Sequence, residues 1–155
     1  MDNKSAVILV SVMERSVAFY TKYLGLAVEA DTGAKVTLTG GVVLQAMETR
    51  FGFICGLDAG LRGNGADLYF EKYDFDGFVQ TLDDVDLVHP PMEHPWGQRL
   101  IRLYDPDGYI IEVGEDITAV VQRFVEKGKT IPEIAARMDV DQERVLRWLQ
   151  AIDHD

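Results

Sequence analysis

An arginine and a glutamate interrupt two apolar runs near residue 100, one on each side of a predicted turn. Arg102 lies within QRLIRLY and Glu112 within YIIEVGE. Near-continuous apolar strands are covered on both faces, so a charge among them either pairs with a neighbour or lines a cavity. The two residues are therefore candidates for a structural ion pair or for a site that contacts a ligand.

The segment between them, DPDG, predicts the turn of a β-hairpin. Pro106 holds φ at about −65°, the two aspartates can form hydrogen bonds with local amides, and Gly108 tolerates positive φ. With four turn residues, 105–108, Arg102 would lie opposite Ile111. A fifth turn residue, Tyr109, would move Arg102 opposite Glu112, and the sequence leaves both registers open.

The first part of the chain predicts a βαβββ unit. Ser11 and Glu14 have the spacing of a capping box at the start of a helix, and Gly25 is placed to end that helix. Four runs rich in β-branched and apolar residues predict the strands of this unit. They are 6–12, 26–30, 35–39 and 42–47.

The same order then repeats. A strand at 67–73, a helix after it, a short strand at 87–89 and the hairpin form a second βαβββ unit. Two copies predict an α+β fold, a pseudo-symmetric domain over residues 1–115 with modules at about 1–56 and 66–115. In such a domain the sheets would curl around a shared cleft.

Residues 116–155 predict helices only. They contain three apolar stripes at helical spacing, and Thr130 and Glu133 form a second predicted capping box. The last stripe includes Trp148 and Leu149, which we expect to be buried. We therefore predict a C-terminal helical extension that packs against its own domain or a partner subunit.

The charge of the chain argues against polyanionic partners. Its formal net charge is −11, and residues 116–155 carry six Lys or Arg against eight Asp or Glu. The last two helices resemble a helix-turn-helix, but this acidic balance predicts no nucleic-acid binding. The N-terminal apolar run is too short for a signal peptide, and no segment has the ~20 apolar residues of a membrane span. We expect a cytoplasmic protein that binds no membrane.

The cysteine and the histidines give little sign of chemistry. Cys55 is the single cysteine and cannot form an internal disulfide, so we expect a buried, inert thiol. His89 and His94 lie in the loop-rich stretch HPPMEHPWG, and His154 is the penultimate residue. All three are expected to be solvated surface residues.

Two segments resemble a known family. They are MERSVAFYTKYLGL at 13–26 and PWGQRLIRLYDPDGYIIEVGE at 95–115, and with the repeated unit they resemble the glyoxalase, bleomycin-resistance and extradiol-dioxygenase superfamily, also called vicinal oxygen chelate proteins. The resemblance covers about residues 4–115 and implies a glyoxalase-like domain there. The family spans isomerases, transferases, dioxygenases and proteins that sequester a drug, so the fold leaves the chemistry open.

The resemblance also locates the positions of a metal site. Metal-dependent members hold a divalent ion with one side chain from the first and one from the last strand of each copy, commonly two histidines and two carboxylates. Those positions fall on Ser5, Gln45, Asp67 and Glu112. Because this set lacks the imidazoles of a tight nickel, zinc or iron site, we expect no transition metal and no other cofactor.

The resemblance further implies a ligand cleft. Arg102 is expected to point into the cleft and to meet an anionic oxygen of the ligand. Tyr69 and Trp96 are candidate aromatic walls, although a place in the core is the favoured interpretation for both. The expected ligand-binding residues are Gln45, Asp67, Tyr69, Trp96, Arg102 and Glu112.

Two functions of different classes remain in view. The first is a metal-independent protein that binds a small anionic organic ligand, similar to members of the family that sequester one. The alternative is a lyase or isomerase related to glyoxalases, with Glu112 as catalytic base and with or without a weakly held Mg²⁺ or Mn²⁺. The family's clefts are often completed by a second subunit, so the resemblance implies a homodimer.

Overall fold

The computed structural model describes residues 6–46 and 68–152, which belong to two compact units. The first unit contains 6–46 and the turn 104–109. The second unit contains 68–103 and 110–152. The hairpin turn is therefore grouped with the first unit, although most of its two strands lies in the second.

The first unit is a four-stranded sheet with one helix. Its elements are β1 (Ala6–Val10), α1 (Met13–Lys22), β2 (Val28–Asp31), β3 (Lys35–Leu38) and β4 (Val42–Ala46). The strand order is β1-β4-β3-β2, with β1 parallel to β4 and the other neighbours antiparallel. This is the βαβββ order that the sequence predicts.

Alternate residues of this sheet form a core together with α1. Phe19 and Tyr20 of the helix are buried, and so are two alternate residues on each of β1, β3 and β4. Successive side chains on a strand point to opposite faces, so these residues share one face of the sheet. They are Ile8, Val10, Val36, Leu38, Val42 and Leu44.

The N-terminus of α1 does not have the predicted capping box. Its N-cap residue is Val12, which makes no side-chain cap. The backbone N–H and the hydroxyl of Ser11 donate to the carboxylate of Asp107 instead, and the Ser16 hydroxyl does the same at 3.3 Å. The predicted capping box of Ser11 and Glu14 is therefore wrong. The Asp107 carboxylate, which is distant in sequence, binds at the N-terminal, positive end of the helix dipole instead.

The hairpin turn provides a second buried carboxylate, that of Asp105. It accepts hydrogen bonds from the Tyr20 phenol at 2.8 Å and from the backbone N–H groups of Asp107 and Tyr109. Burial raises the pKa of Asp105, although these hydrogen bonds oppose the rise. Hydrogen bonds thus join the hairpin turn, which lies in the segment 95–115, to α1, which lies in the segment 13–26.

The second unit repeats the sheet and helix. Its first elements are β5 (Leu68–Lys72), α2 (Phe75–Gln80), β6 (Met92–Glu93), β7 (Arg99–Tyr104) and β8 (Ile110–Glu115), with sheet order β5-β8-β7-β6. The strand predicted at 87–89 is wrong, since Leu87 makes only an isolated bridge to Leu103. Two prolines follow this segment and cannot donate to a ladder, so β6 forms the edge instead. The predicted α+β fold with two repeated units is confirmed.

The helical extension consists of three helices and belongs to the second unit. They are α3 (Ile117–Glu126), α4 (Ile131–Met138) and α5 (Gln142–Ile152). Thr130 and Glu133 form the predicted capping box. The apolar faces of the three helices form a cluster of Val120, Val121, Phe124, Ile134, Ala135, Met138 and Val145.

The last helix is less buried than its apolar stripe predicts. Trp148 and Leu149 pack against the cluster but are only partly buried, and Leu146 is exposed. Val145 is the one buried residue of α5, so most of this helix stays in contact with solvent. No helix in 6–46 or 68–152 is both long and apolar enough to cross a membrane.

The connection between β7 and β8 decides which residues face each other in the hairpin. Residues 105–109 separate the strands, and the Asp105 N–H donates to the Tyr109 carbonyl oxygen at 2.8 Å. Antiparallel pairing that continues outward from this bond puts Arg102 opposite Glu112. Of the two registers left open by the sequence, the five-residue turn is the one that forms.

A second Arg–Glu pair lies three positions further along the same strands. In this register Arg99 is opposite Glu115, and its Nε and Nη2 atoms both donate to the carboxylate at 3.1 Å. Arg99 and Arg102 are three positions apart, and an odd offset puts two side chains of a strand on opposite faces, so the two pairs lie on opposite faces of the hairpin.

Glu115 ties the helical extension to the second sheet. Its side chain is only 2% exposed, and Arg123 of α3 donates to both carboxylate oxygens, at 3.1 and 2.9 Å. Burial opposes ionisation of this carboxyl, but the hydrogen bonds from Arg123 and Arg99 outweigh it and lower the pKa of Glu115. An ionised carboxylate therefore joins β8, β7 and α3.

Replacing Tyr20 with Phe should destabilise the protein by about 1–3 kcal/mol, because the buried Asp105 carboxylate loses a donor. Urea denaturation measures the loss as a lower midpoint. Tyr23→Phe is the matched control, since Tyr23 is a half-buried tyrosine of the same helix end, and it should change stability by less than about 0.5 kcal/mol. Equal losses in the two variants would contradict the role given to Asp105.

Replacing Glu115 with Gln should cost about 3 kcal/mol near neutral pH, because two guanidinium groups lose their shared counter-ion. The folded-state pKa of Glu115 is lowered, so its contribution is present above the unfolded value of 4.5 and disappears as pH falls through the folded value. The difference from the parent protein should therefore shrink in acid. Denaturation of Glu126→Gln, an exposed position on α3, should show neither effect.

Candidate functional site

One face of the second sheet carries polar side chains that the sequence singles out. Tyr69 on β5 is in register with Glu112 on β8, and Glu112 lies opposite Arg102, so the three share a face. We call this surface the Arg102 face. On the other face the Arg99 guanidinium lies 5.1 Å from the centroid of the Phe75 ring of α2. The helices thus cover the face that Arg102 does not occupy.

Arg102 and Glu112 form an ion pair on this face. The Nη2 atom of Arg102 donates to Oε1 of Glu112 at 2.8 Å, and the two side chains are 32% and 17% exposed. Solvent at this exposure weakens the attraction, so the pair stabilises the fold less than the buried cluster around Glu115. The pair is thus accessible enough to meet a ligand.

His89 extends the pair. Its Nε2 atom lies 3.2 Å from Nη1 of Arg102, and its Nδ1 atom lies 2.7 Å from the carbonyl oxygen of Pro90. A guanidinium only donates, so Nε2 accepts and the ring proton is assigned to Nδ1. The expected solvated histidine is wrong here, because His89 is partly buried and helps to orient Arg102.

The Tyr69 hydroxyl joins two further polar side chains. It donates to Oε1 of Glu71 at 2.9 Å and accepts from Nε2 of Gln98 at 3.0 Å. Burial is the largest cause that raises the pKa of Tyr69 to about 12, and the carboxylates of Glu71 and Glu112 add to the rise while the Gln98 hydrogen bond opposes it. Tyr69 is therefore a protonated donor at physiological pH.

Gly114 of β8 leaves room for this network. A Cβ atom at Gly114 would lie 2.8 Å from the Tyr69 hydroxyl and 2.9 Å from Nε2 of Gln98. Gln98 and Glu71 were not predicted as site residues. The sequence contained one signal for them. Gly114 lies within a predicted strand, and a glycine there indicates that another group approaches the backbone closely.

Trp96 adjoins the network from the turn between β6 and β7. Its ring stacks on His94 with the centroids 3.9 Å apart and 14° between the planes, and its Nε1 lies 3.4 Å from Oε1 of Gln98. Trp96 is 39% exposed and Tyr69 is 50% exposed, so neither occupies the core. His94 is partly buried by the stack and is not the solvated side chain that was expected.

Two predicted site residues, Gln45 and Asp67, do not belong to the described part of the second unit. Gln45 lies on β4 of the first unit, in register with Leu9 and Lys35. It is on the opposite face of that sheet from the buried Leu44. Four residues discussed above lie outside the described residues: Ser5, Cys55, Asp67 and His154.

The described positions do not fit a transition-metal site. The Glu112 carboxylate is engaged by Arg102, whose positive charge opposes a divalent cation at the same group. The Gln45 amide offers only a weak oxygen ligand. Across 6–46 and 68–152 no three His, Cys, Asp or Glu side chains are grouped so as to hold a metal ion.

The chain is similar to glyoxalase-like proteins in sequence and in fold. Residues 3–118 match the family model of the glyoxalase-like domain. A solved structure of a protein of unknown function from Agrobacterium tumefaciens str. C58 is 32% identical, with a TM-score of 0.69 over 76% of this chain and 95% of that one. No curated protein matches the chain significantly.

Two further solved structures share the fold at low identity. A glyoxalase/bleomycin resistance protein/dioxygenase from Nocardioides is 19% identical, with a TM-score of 0.56 over 74% of this chain and 83% of that one. Lactoylglutathione lyase from Agrobacterium tumefaciens is 18% identical, with a TM-score of 0.55 over 74% and 92%. The family match spans both βαβββ units and stops early in α3. The chain therefore belongs to the glyoxalase-like domain family.

Proposed function

We propose that the protein binds a small organic anion on the Arg102 face and does so without a transition metal. The observation that carries this proposal is the ion pair between Arg102 and Glu112. Glu112 stands at the position where the family resemblance implies a metal ligand, and its carboxylate meets a guanidinium there. A positive side chain in this place favours an anionic ligand over a metal cation.

The surroundings of Arg102 support binding of an anion. Glu112 and His89 hold the guanidinium in one orientation, so little conformational entropy is lost when a carboxylate or phosphate joins it. The protonated Tyr69 hydroxyl lies on the same face. Trp96, stacked on His94, offers a flat apolar surface, which suits a planar group on the ligand.

A lyase or isomerase of the glyoxalase type is the second candidate. The observation that favours it is the register of Tyr69 with Glu112, which places a protonated phenol beside a carboxylate. Such a pair contains an acid and a base for proton transfer.

The expected homodimer, the cytoplasmic location and the lack of nucleic-acid or membrane binding remain predictions.

Equilibrium dialysis with 2-naphthoate tests the binding site, with 2-naphthylmethanol as its uncharged counterpart. The parent protein should bind the carboxylate more tightly than the alcohol, and Arg102→Leu should abolish the difference. That variant should lose about 1 kcal/mol of stability, because the pair is partly solvated. Arg144→Leu, at an exposed position on α5, should bind as the parent does. Equal binding of acid and alcohol by the parent protein would refute the proposal.

Metal analysis and metal removal test the proposal that no transition metal is bound. Protein purified without a tag and without chelator should contain no stoichiometric nickel, zinc or iron, and EDTA should leave its Tm unchanged. A specific site would instead stabilise the fold by its binding free energy. Stoichiometric metal that disappears in Glu112→Gln would show that the family's metal site is intact.

A further inference from the structure

The turn at 94–98 between β6 and β7 contacts both the Arg102 face and the helical extension. We propose that the helical extension positions Trp96 and Gln98 for ligand binding, and that Arg137 is the main positioning residue. This inference rests on the proposed function, because it gives the extension a role in binding the same ligand.

Two backbone hydrogen bonds close the turn at 94–98. The His94 N–H donates to the Gln98 carbonyl oxygen, and the Gly97 N–H donates to the His94 carbonyl oxygen, both at 2.8 Å. Gly97 has a φ of +96°, which a residue with a side chain rarely adopts. The turn is therefore tight, and its Pro95 and Gly97 carbonyl groups remain available to other partners.

Two arginines of the helical extension bind those carbonyl groups. Arg123 donates through Nη2 to the Gly97 oxygen at 2.5 Å, and Arg137 donates through Nε to the Pro95 oxygen at 2.7 Å. Hydrogen bonds from a charged donor are stronger than those between neutral groups. Because Pro95 and Gly97 flank Trp96 in the chain, the two bonds fix the backbone on both sides of the indole.

Phe124 of α3 supports the turn from beneath. A Cβ atom at Gly97 would lie 2.3 Å from Cζ of the buried Phe124 ring, so the turn is in direct contact with this side chain. The guanidinium groups of Arg123 and Arg137 lie 5.3 and 5.6 Å from the centroid of the same ring. The turn has no space to move toward α3.

The ordered turn presents two side chains to the ligand face. Gln98 donates to the Tyr69 hydroxyl at 3.0 Å, and Trp96 lies beside it in a stack with His94. If the turn were free, ligand binding would have to order it and affinity would fall. Contacts with the extension order the turn before the ligand arrives.

A variant with Trp148 replaced by Phe leaves Trp96 as the only tryptophan, and its fluorescence then reports on the turn. In this background Arg137→Gln should weaken 2-naphthoate binding in equilibrium dialysis about tenfold. It should also increase acrylamide quenching of Trp96. Arg137→Lys keeps a charged donor and should restore most of the affinity, whereas Arg144→Gln should change neither measurement.

Gly97→Ala provides a second route to the same result, since it separates the turn from Phe124 without altering an arginine. Circular dichroism checks that each variant is folded. Unchanged affinity in both Arg137→Gln and Gly97→Ala would overturn the inference, and so would equal losses in Arg137→Gln and Arg144→Gln. If the parent protein binds no 2-naphthoate, the proposed function fails. In that case the quenching measurement still tests the role of Arg137, because unchanged acrylamide quenching of Trp96 in Arg137→Gln would refute it.

Discussion

The register of β7 against β8 is the constraint on which the second unit depends. Residues 105–109 form the turn, and this length places Arg102 opposite Glu112 and Arg99 opposite Glu115. A four-residue turn would place Ile111 opposite Arg102 and turn the partner carboxylate to the other face. The turn itself is held by Asp105 and Asp107, which bond to α1. Hydrogen bonds to α1 thus hold the turn whose length sets the register.

The two Arg–Glu pairs have the same chemistry and different surroundings. Glu115 is buried and shared between Arg99 and Arg123, so it joins the sheet to the helical extension and its carboxylate is already paired with two guanidinium groups. Arg102 and Glu112 are partly exposed beside Tyr69, where solvent and ligands can reach them. Burial therefore separates a structural role from the proposed binding role on one hairpin.

Sequence patterns predicted the features that depend on neighbouring residues. The Thr130–Glu133 capping box formed because both partners lie in one helical turn, and the repeated βαβββ order followed from strong periodicity. The box at Ser11 failed because Asp107, 96 positions away, takes its place. Within the candidate site, charges that interrupt apolar runs indicated Arg102 and Glu112, and the family resemblance added Tyr69; the three share a face. His89 and Gln98 were missed because tertiary contacts of irregular segments set their positions.

We expect the ligand to bind on the Arg102 face of the hairpin and not on the face packed by the helices. Alternation places Leu100 and Ile110 with Arg102, and Ile101 and Ile111 on the opposite face. Methyl NMR during titration with 2-naphthoate tests this directly. The Leu100 and Ile110 methyl signals should shift, while those of Ile101 and Ile111 should stay in place. Shifts confined to Ile101 and Ile111 would contradict it.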